Sequence, residues 1–310
     1  MTLIVNLNPS IDRWYKIEDF RLFGSYTTRD YTIVPGGKGI NVAKVIKSFN
    51  EPVVVTGFVG GEGGSFIEQK LYKMDISHRF IRVKGETKNN IRILSSNGFY
   101  TEIKEKGSSI SIDDAISFYK LYKELIFEHD IICICGDKGI TLPTDIFKEL
   151  IVLANEYNKK VFLNTSANLL KVAVEASPYF VKLNKSQMEE YLGCTVINDI
   201  DIIQGGKYLS EDGIQIVIIT LGEEGLIAFH NQYIYRIRVP KVLIVNSIGA
   251  GDSMVGGFIS GLLRNYDFEF SLKMAAACAT ANVMEVEPGK VDMNNMKKIM
   301  NEIIITKSSF

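Results

Sequence analysis

The chain has 310 residues, 46% of them hydrophobic and 23% charged, a composition that suits one large globular domain or two modest ones. Its 35 Lys and Arg nearly balance 36 Asp and Glu, and no long run of like charge stands out, so neither a nucleic acid nor an anionic membrane surface is indicated as a partner. No stretch approaches the ~18 apolar residues of a membrane span; the start lacks a signal peptide's basic region, and the four scattered cysteines suit a reducing cytoplasm.

Residues 2–7 read as a buried strand that ends in Asn8-Pro9-Ser10-Ile11-Asp12. Residues of about 13–34 are polar, aromatic and β-prone, without helical period. Gly36-Gly37 then opens a helix over 37–49, followed by a strand at 53–57 and a helix at 66–74. Between 81 and 104 the pattern alternates, as in Asn90-Ile91-Arg92-Ile93, and Ser96-Asn97-Gly98 supplies a hairpin turn. These two insertions, about 13–34 and 86–105, predict a small β-sheet lid projecting from the main body.

From residue 113 onward helices and strands alternate. Helices are predicted over 113–127, 144–158, 169–176 and 200–211, with strands at 131–135, 161–163, 179–183 and 216–220. The strands are continuously apolar, which marks a doubly wound, mostly parallel α/β sheet covered on both faces. A further strand is predicted at 242–245, and helices at 250–263, 272–286 and 293–303. In such sheets ligands bind beyond the carboxyl ends of the strands.

Three short segments could carry chemistry there. Gly249-Ala250-Gly251-Asp252-Ser253 turns from the strand predicted at 242–245 into a helix. Backbone N–H groups at that helix start, freed of side-chain bulk by Gly249 and Gly251, can hold developing negative charge. A first-turn Asp252 is also what a tight acidic turn would carry for stability alone. Gly36-Gly37-Lys38-Gly39-Ile40-Asn41 offers close backbone approach, a point charge for phosphate and an amide. Asp12 ends the third segment, where a carboxylate can accept from sugar hydroxyls. Walker A is excluded because Gly39 follows Lys38, and the dinucleotide fingerprint is excluded by Met254. Cys133 and Cys135 lie two apart in an apolar strand and read as buried thiols, while the scattered His78, His129 and His230 read as surface or packing residues rather than catalytic ones.

In this order and spacing the three segments resemble the ribokinase superfamily, in its phosphofructokinase-B branch, from end to end. The resemblance implies an ATP-dependent sugar kinase on one domain spanning 1–310, with Mg²⁺ carried by the nucleotide. Asp252 would take the proton of the acceptor hydroxyl, with Gly249, Ala250 and Gly251 as the anion hole. Asp12, Gly37, Lys38 and Asn41 would hold the sugar. Asn184, with Thr220, Gly222 and Gly225 of Thr220-Leu221-Gly222-Glu223-Glu224-Gly225, would hold the nucleotide. Dimerisation through the lid is common in the family.

Within the branch, Thr87-Lys88-Asn89-Asn90-Ile91-Arg92 is similar to a pattern of 1-phosphofructokinases, with the Arg and Lys exchanged. Alternation puts Lys88, Asn90 and Arg92 on one strand face as a phosphate clamp. Lys84-Gly85-Glu86-Thr87 is closer to tagatose-6-phosphate kinases, so the substrate reading is fructose 1-phosphate first and tagatose 6-phosphate second. Four positions depart from the family pattern. Asp137 stands where a Ser-Gly-Ser run is usual, Asn164 where relatives carry Asp, and Leu183 in place of Pro. Gln187 replaces the Glu of an Asn-x-x-Glu motif that organises metal-bound water. Asp137 would repel an anionic substrate unless Lys138 compensates. Together with Gln187 it also suits a protein that binds a sugar phosphate with little turnover.

Overall fold

The apolar β1 (Thr2–Val5) is central to a large sheet, and the chain leaves it for β2 (Ser10–Ile17) and β3 (Tyr31–Gly36) of a second one. It returns through α1 (Lys38–Ser48), β4 (Val53–Gly60), α2 (Gly61–Lys73) and β5 (Ser77–Val83), then visits the second sheet again as β6 (Asn89–Ser95) and β7 (Tyr100–Lys104). Next come α3 (Ile112–Glu128), β8 (Ile131–Gly136), α4 (Ile146–Glu156), β9 (Lys160–Thr165), α5 (Ala167–Ala173) and β10 (Phe180–Asn184). After them lie α6 (Lys185–Leu192), α7 (Asp199–Glu211), β11 (Ile216–Thr220), β12 (Leu226–His230) and β13 (Tyr233–Arg238). The chain closes with α8 (Ala250–Leu263), α9 (Phe268–Asn282), α10 (Met293–Glu302) and β14 (Ile304–Ser309). This computed structural model describes residues 1–95 and 100–309; the predicted turn Ser96-Asn97-Gly98 lies outside them.

The large sheet has the order β14-β13-β12-β11-β10-β9-β8-β1-β4-β5. Strands from β5 through β11 run parallel, and β12 to β14 are added antiparallel. Successive residues of one strand feed different cores: Ile4, Cys133, Phe162 and Phe180 pack under α1, α8 and α9, while Leu3, Val5, Ile132 and Leu163 pack against α3 and α4. Burial on both faces is why these strands are continuously apolar. The arrangement is the doubly wound, mostly parallel α/β fold read from the sequence, accompanied by a smaller separate sheet of order β3-β2-β6-β7.

In the smaller sheet β2 and β6 are parallel, pairing Asp12 with Asn90 and Trp14 with Arg92. The chain crosses between the two sheets near residues 6–9, 36–37, 84–88 and 105–111. Gly37, Gly85 and Gly107 sit at these crossings with φ of 105°, 94° and 88°, a region that disfavours a Cβ.

Two expectations need correction. Residues 242–245 form no strand; Leu243 is 80% exposed, and Val242 and Ile244 line a cavity wall instead. Their apolar character serves that wall, so it mimics a buried strand in sequence. The helix predicted to begin at 272 starts at Phe268, because the Asp267 side chain accepts from the Phe270 N–H at 2.7 Å. Among the described residues no helix is long and apolar enough to cross a membrane.

Candidate active site

The carboxyl ends of β1, β8, β9 and β10 face the starts of α1 and α8, and the motifs meet there. Helices α3, α6, α7, α9 and α10 are capped by Ser111, Asn184, Asn198, Asp267 and Asp292. Helices α1 and α8 begin on Gly37 and Gly249 with no side-chain cap, as α2, α4 and α5 also begin uncapped. Their first N–H groups are left for another acceptor, and each helix presents the positive end of its dipole. Gly249 is held at φ 85°, against Pro288 and Gly289.

Asp252, in the first turn of α8, is 6% exposed. Its Oδ2 accepts from Asn41 Nδ2 at 3.0 Å and its Oδ1 from Asn164 Nδ2 at 2.9 Å. Lys182, buried on β10, lies against Gly251; a Cβ added there would come within 2.5 Å of its Nζ. Burial, reinforced by the nearby Lys38, pushes the Lys182 pKa down to about 8, while Asp252 opposes the shift. Two ammonium groups and one carboxylate thus share a site built to receive negative charge. Cys135 also lies near Asp252, but burial pushes its thiol well above the usual range, so it is no nucleophile.

On the side of the smaller sheet, Asp12 is the hub. Its Oδ1 accepts from Ser10 Oγ at 2.8 Å and Asn90 Nδ2 at 3.0 Å, and its Oδ2 from Arg92 Nη1 at 3.1 Å. Arg92 also donates through Nε to Glu102 at 2.7 Å and stacks on Trp14. Asn90 and Arg92 therefore share a face, as alternation predicts, but Arg92 is committed to two carboxylates rather than left free as a clamp. Lys88 has no ion-pair partner among the described residues; burial pushes its pKa down while Asp137 and Asp12 pull it up. The Lys138 ammonium is turned to the Leu142 and Gly139 carbonyls. Asp137 is thus one of the charges acting on Lys88.

A cavity of about 560 Å³ opens on the other side of Gly251. Asn184, Thr220, Gly222 and Gly225 all line it, together with Lys182 and the apolar Val242, Ile244, Ala276 and Val283. A lining that combines polar and apolar groups suits a nucleotide. Gln187 does not face this cavity as a free group. It forms a reciprocal cap with Asn184 and donates through Nε2 to the Thr165 carbonyl at 2.6 Å.

A family model for pfkB carbohydrate kinases matches residues 8–292. The chain belongs to the pfkB family of carbohydrate kinases. As a pfkB kinase it is a phosphotransferase acting on a carbohydrate. Similar solved structures include a candidate phosphofructokinase from Staphylococcus aureus, 28% identical over 100% of this chain and 99% of that one, TM-score 0.86. A possible 1-phosphofructokinase from Thermotoga maritima is 27% identical over 99% of each, TM-score 0.87. Phosphofructokinase-2 from Escherichia coli, in complex with substrates and products, shares the fold at 20% identity over 97% of this chain and 98% of that one, TM-score 0.88.

Sugar kinases of the pfkB family use ATP with a divalent metal. The cavity beside Lys182 and Gly251 fits the nucleotide. For the metal, the free donor at the site is the buried Asn164 Oδ1, which has no hydrogen-bond partner, while the Gln187 amide is already engaged on both atoms; among the described residues no group of three or more His, Cys, Asp or Glu could hold an ion.

Three features of the site escaped the sequence reading. The sequence pattern gives Lys182 no role, although a lysine inside the apolar strand Phe180–Asn184 is itself a local signal. The bond from Asn164 to Asp252 spans 88 residues and leaves no local mark. Nor does the pairing of Gln187 with Thr165.

Proposed function

We propose that this pfkB kinase transfers the terminal phosphoryl group of ATP to a hexose phosphate, with fructose 1-phosphate as acceptor and fructose 1,6-bisphosphate as product. The carrying observation is the placement of Asp252. Its carboxylate lies at the uncapped start of α8, next to Ala250 and Gly251 that line the cavity, with both oxygens held by amides. Asp252 takes the acceptor hydroxyl proton as the new O–P bond forms and the bond to ADP breaks. The N–H groups of Gly249, Ala250 and Gly251, with Lys182, face the charge of the group in flight. A positioned base contributes about 10²–10⁴ in rate and one anion-hole donor about 10²–10³. Mg²⁺ bound with the nucleotide would supply charge neutralisation at the phosphates.

Asp12, with Gly37 and Asn41, orients the sugar hydroxyls, and Asn90 and Arg92 keep the Asp12 carboxylate in place. Lys38 sits on the phosphate path. Lys88 takes the phosphate that the substrate already carries, the role its unpaired ammonium supports. The smaller sheet acts as a lid of the single domain. Ile103 on its edge strand is exposed, and a second copy of the chain would cover this sheet as a homodimer. Four free cysteines suit work in the cytoplasm.

A second reading is a sugar-phosphate-binding protein with little turnover, favoured by the committed Gln187 amide and by Asp137 beside Lys88. A coupled ADP-release assay with Mg-ATP against fructose 1-phosphate, fructose 6-phosphate, tagatose 6-phosphate and fructose separates the two. Preference for fructose 1-phosphate supports the first reading, and preference for tagatose 6-phosphate reassigns the acceptor. Silence from protein that still binds ATP supports the second. Asp252→Asn is expected to abolish turnover while leaving sugar binding nearly intact; surviving turnover would overturn the assignment of the base.

A further inference from the structure

We propose that Asn164 is a positioning residue for catalysis, forming with Asn41 a two-sided amide clamp that aims the Asp252 carboxylate. The inference rests on Asp252 being the base. Three separate elements meet at this one carboxylate: α8 carries Asp252, α1 carries Asn41 and the end of β9 carries Asn164. Asn164 is fully buried and Asn41 is 4% exposed. Each gives its Nδ2 to a different oxygen, at 2.9 and 3.0 Å.

The orientation of both amides is dictated by chemistry. A carboxylate only accepts, so a flipped amide would set oxygen against oxygen. The consequence is visible on the far side of each amide, where Asn164 Oδ1 and Asn41 Oδ1 are buried without a partner. Two orphaned acceptors beside one carboxylate mean that the amides are arranged for Asp252 rather than for their own satisfaction. A single contact would leave the carboxylate free to turn about its last bond. Two contacts from opposite sides remove that freedom, while each oxygen keeps a lone pair for the incoming proton.

Amides suit this position because they do not titrate. A carboxylate at 164 would lie about 2.9 Å from Asp252, and two such groups cannot both ionise freely; they share a proton. The further support at this strand end is also amide or hydroxyl. Gln187 donates to the Thr165 carbonyl at 2.6 Å, and Thr165 Oγ1 to the Gly136 carbonyl at 2.7 Å. The charged groups that act near the clamp are Lys38 and Lys182.

The test uses the intact enzyme and its best sugar phosphate, with kcat and KM followed from about pH 5 to 9. Asn164→Ala is expected to lower kcat about tenfold and to leave the sugar KM within about twofold, because the lost contact is not to substrate. Asn164→Asp is expected to move the acid limb of the kcat profile up by about one pH unit or more. Asn164→Ser, which keeps a donor, recovers part of what the Ala variant loses, a pattern that general destabilisation would not give. A wild-type kcat in the Ala variant, or an unmoved acid limb in a folded Asp variant, overturns the proposal. Asp252→Asn separates the two layers: if that variant is active, the base assignment itself falls. If it is inactive while the Asn164 variants behave as wild type, only the clamp is refuted.

Discussion

Replacing Lys182 with methionine should make the protein more stable and the enzyme worse. The lysine pKa falls from 10.5 to about 8 in the folded chain, a gap of about two and a half units, each worth about 1.4 kcal/mol. The charged form therefore costs folding about 3 kcal/mol, in full below pH 8, and the cost fades as pH rises from about 8 towards 10.5. Methionine has a similar length and no charge, so Lys182→Met removes the cost at neutral pH. For a chain of this size about 3 kcal/mol corresponds to a rise of about 4–5 °C in Tm. At about pH 9.5 the wild-type lysine is mostly neutral when folded, and the advantage shrinks to roughly half. Thermal unfolding of both proteins at the two pH values measures this, and the coupled assay should record a loss of about 10²-fold in turnover from the missing charged contact. A variant that melts lower than wild type at neutral pH would refute the reasoning, as would an advantage that does not depend on pH.

Arg92→Ala strands the Asp12 and Glu102 carboxylates in a buried network, so stability should fall by about 3–5 kcal/mol. The sugar KM should rise with the ATP KM unmoved, and an equal rise in both would contradict the role given to Asp12. His129 is fully buried, with Nδ1 on the Leu125 carbonyl at 2.6 Å, and burial pushes its pKa down. Its neutral form supports folding at neutral pH, and this support is lost as pH falls below about 6.5, at most about 1.4 kcal/mol per pH unit. Urea unfolding between about pH 5 and 7 should show a shallower acid slope in His129→Leu than in wild type; equal slopes would contradict this.

The parts of the fold that reflect a local cause were legible. Doubly buried strands are apolar at every position, and helix starts carry glycine or a capping side chain, so the βαβ rhythm from residue 113 and the loop before Asp252 can be read by eye. What could not be read depends on distant partners. The antiparallel strands β12 to β14 lie beyond the βαβ rhythm and gain their meaning by pairing with β11 and with one another. Residues 242–245 have a strand's composition without a strand's partner. The site divides the same way: Gly249 to Asp252 announce themselves in four consecutive letters, whereas the bond from Asn41 to Asp252 spans 211 residues. Arg92 is the instructive mixture. Alternation placed it correctly, but whether it meets a ligand or Asp12 depends on a residue 80 positions away.

The glycines at 37, 85 and 107 have a mechanical consequence. The smaller sheet is internally braced by β2 pairing with both β3 and β6, but it hangs from the body on four crossings, three of which run through residues without a side chain. The candidate site is thereby divided across these crossings: Asp12, Asn90 and Arg92 belong to the smaller sheet, while Asp252, Asn164 and Lys182 belong to the body, and a side chain at any of the three glycines would disturb the register between the two sets without touching either.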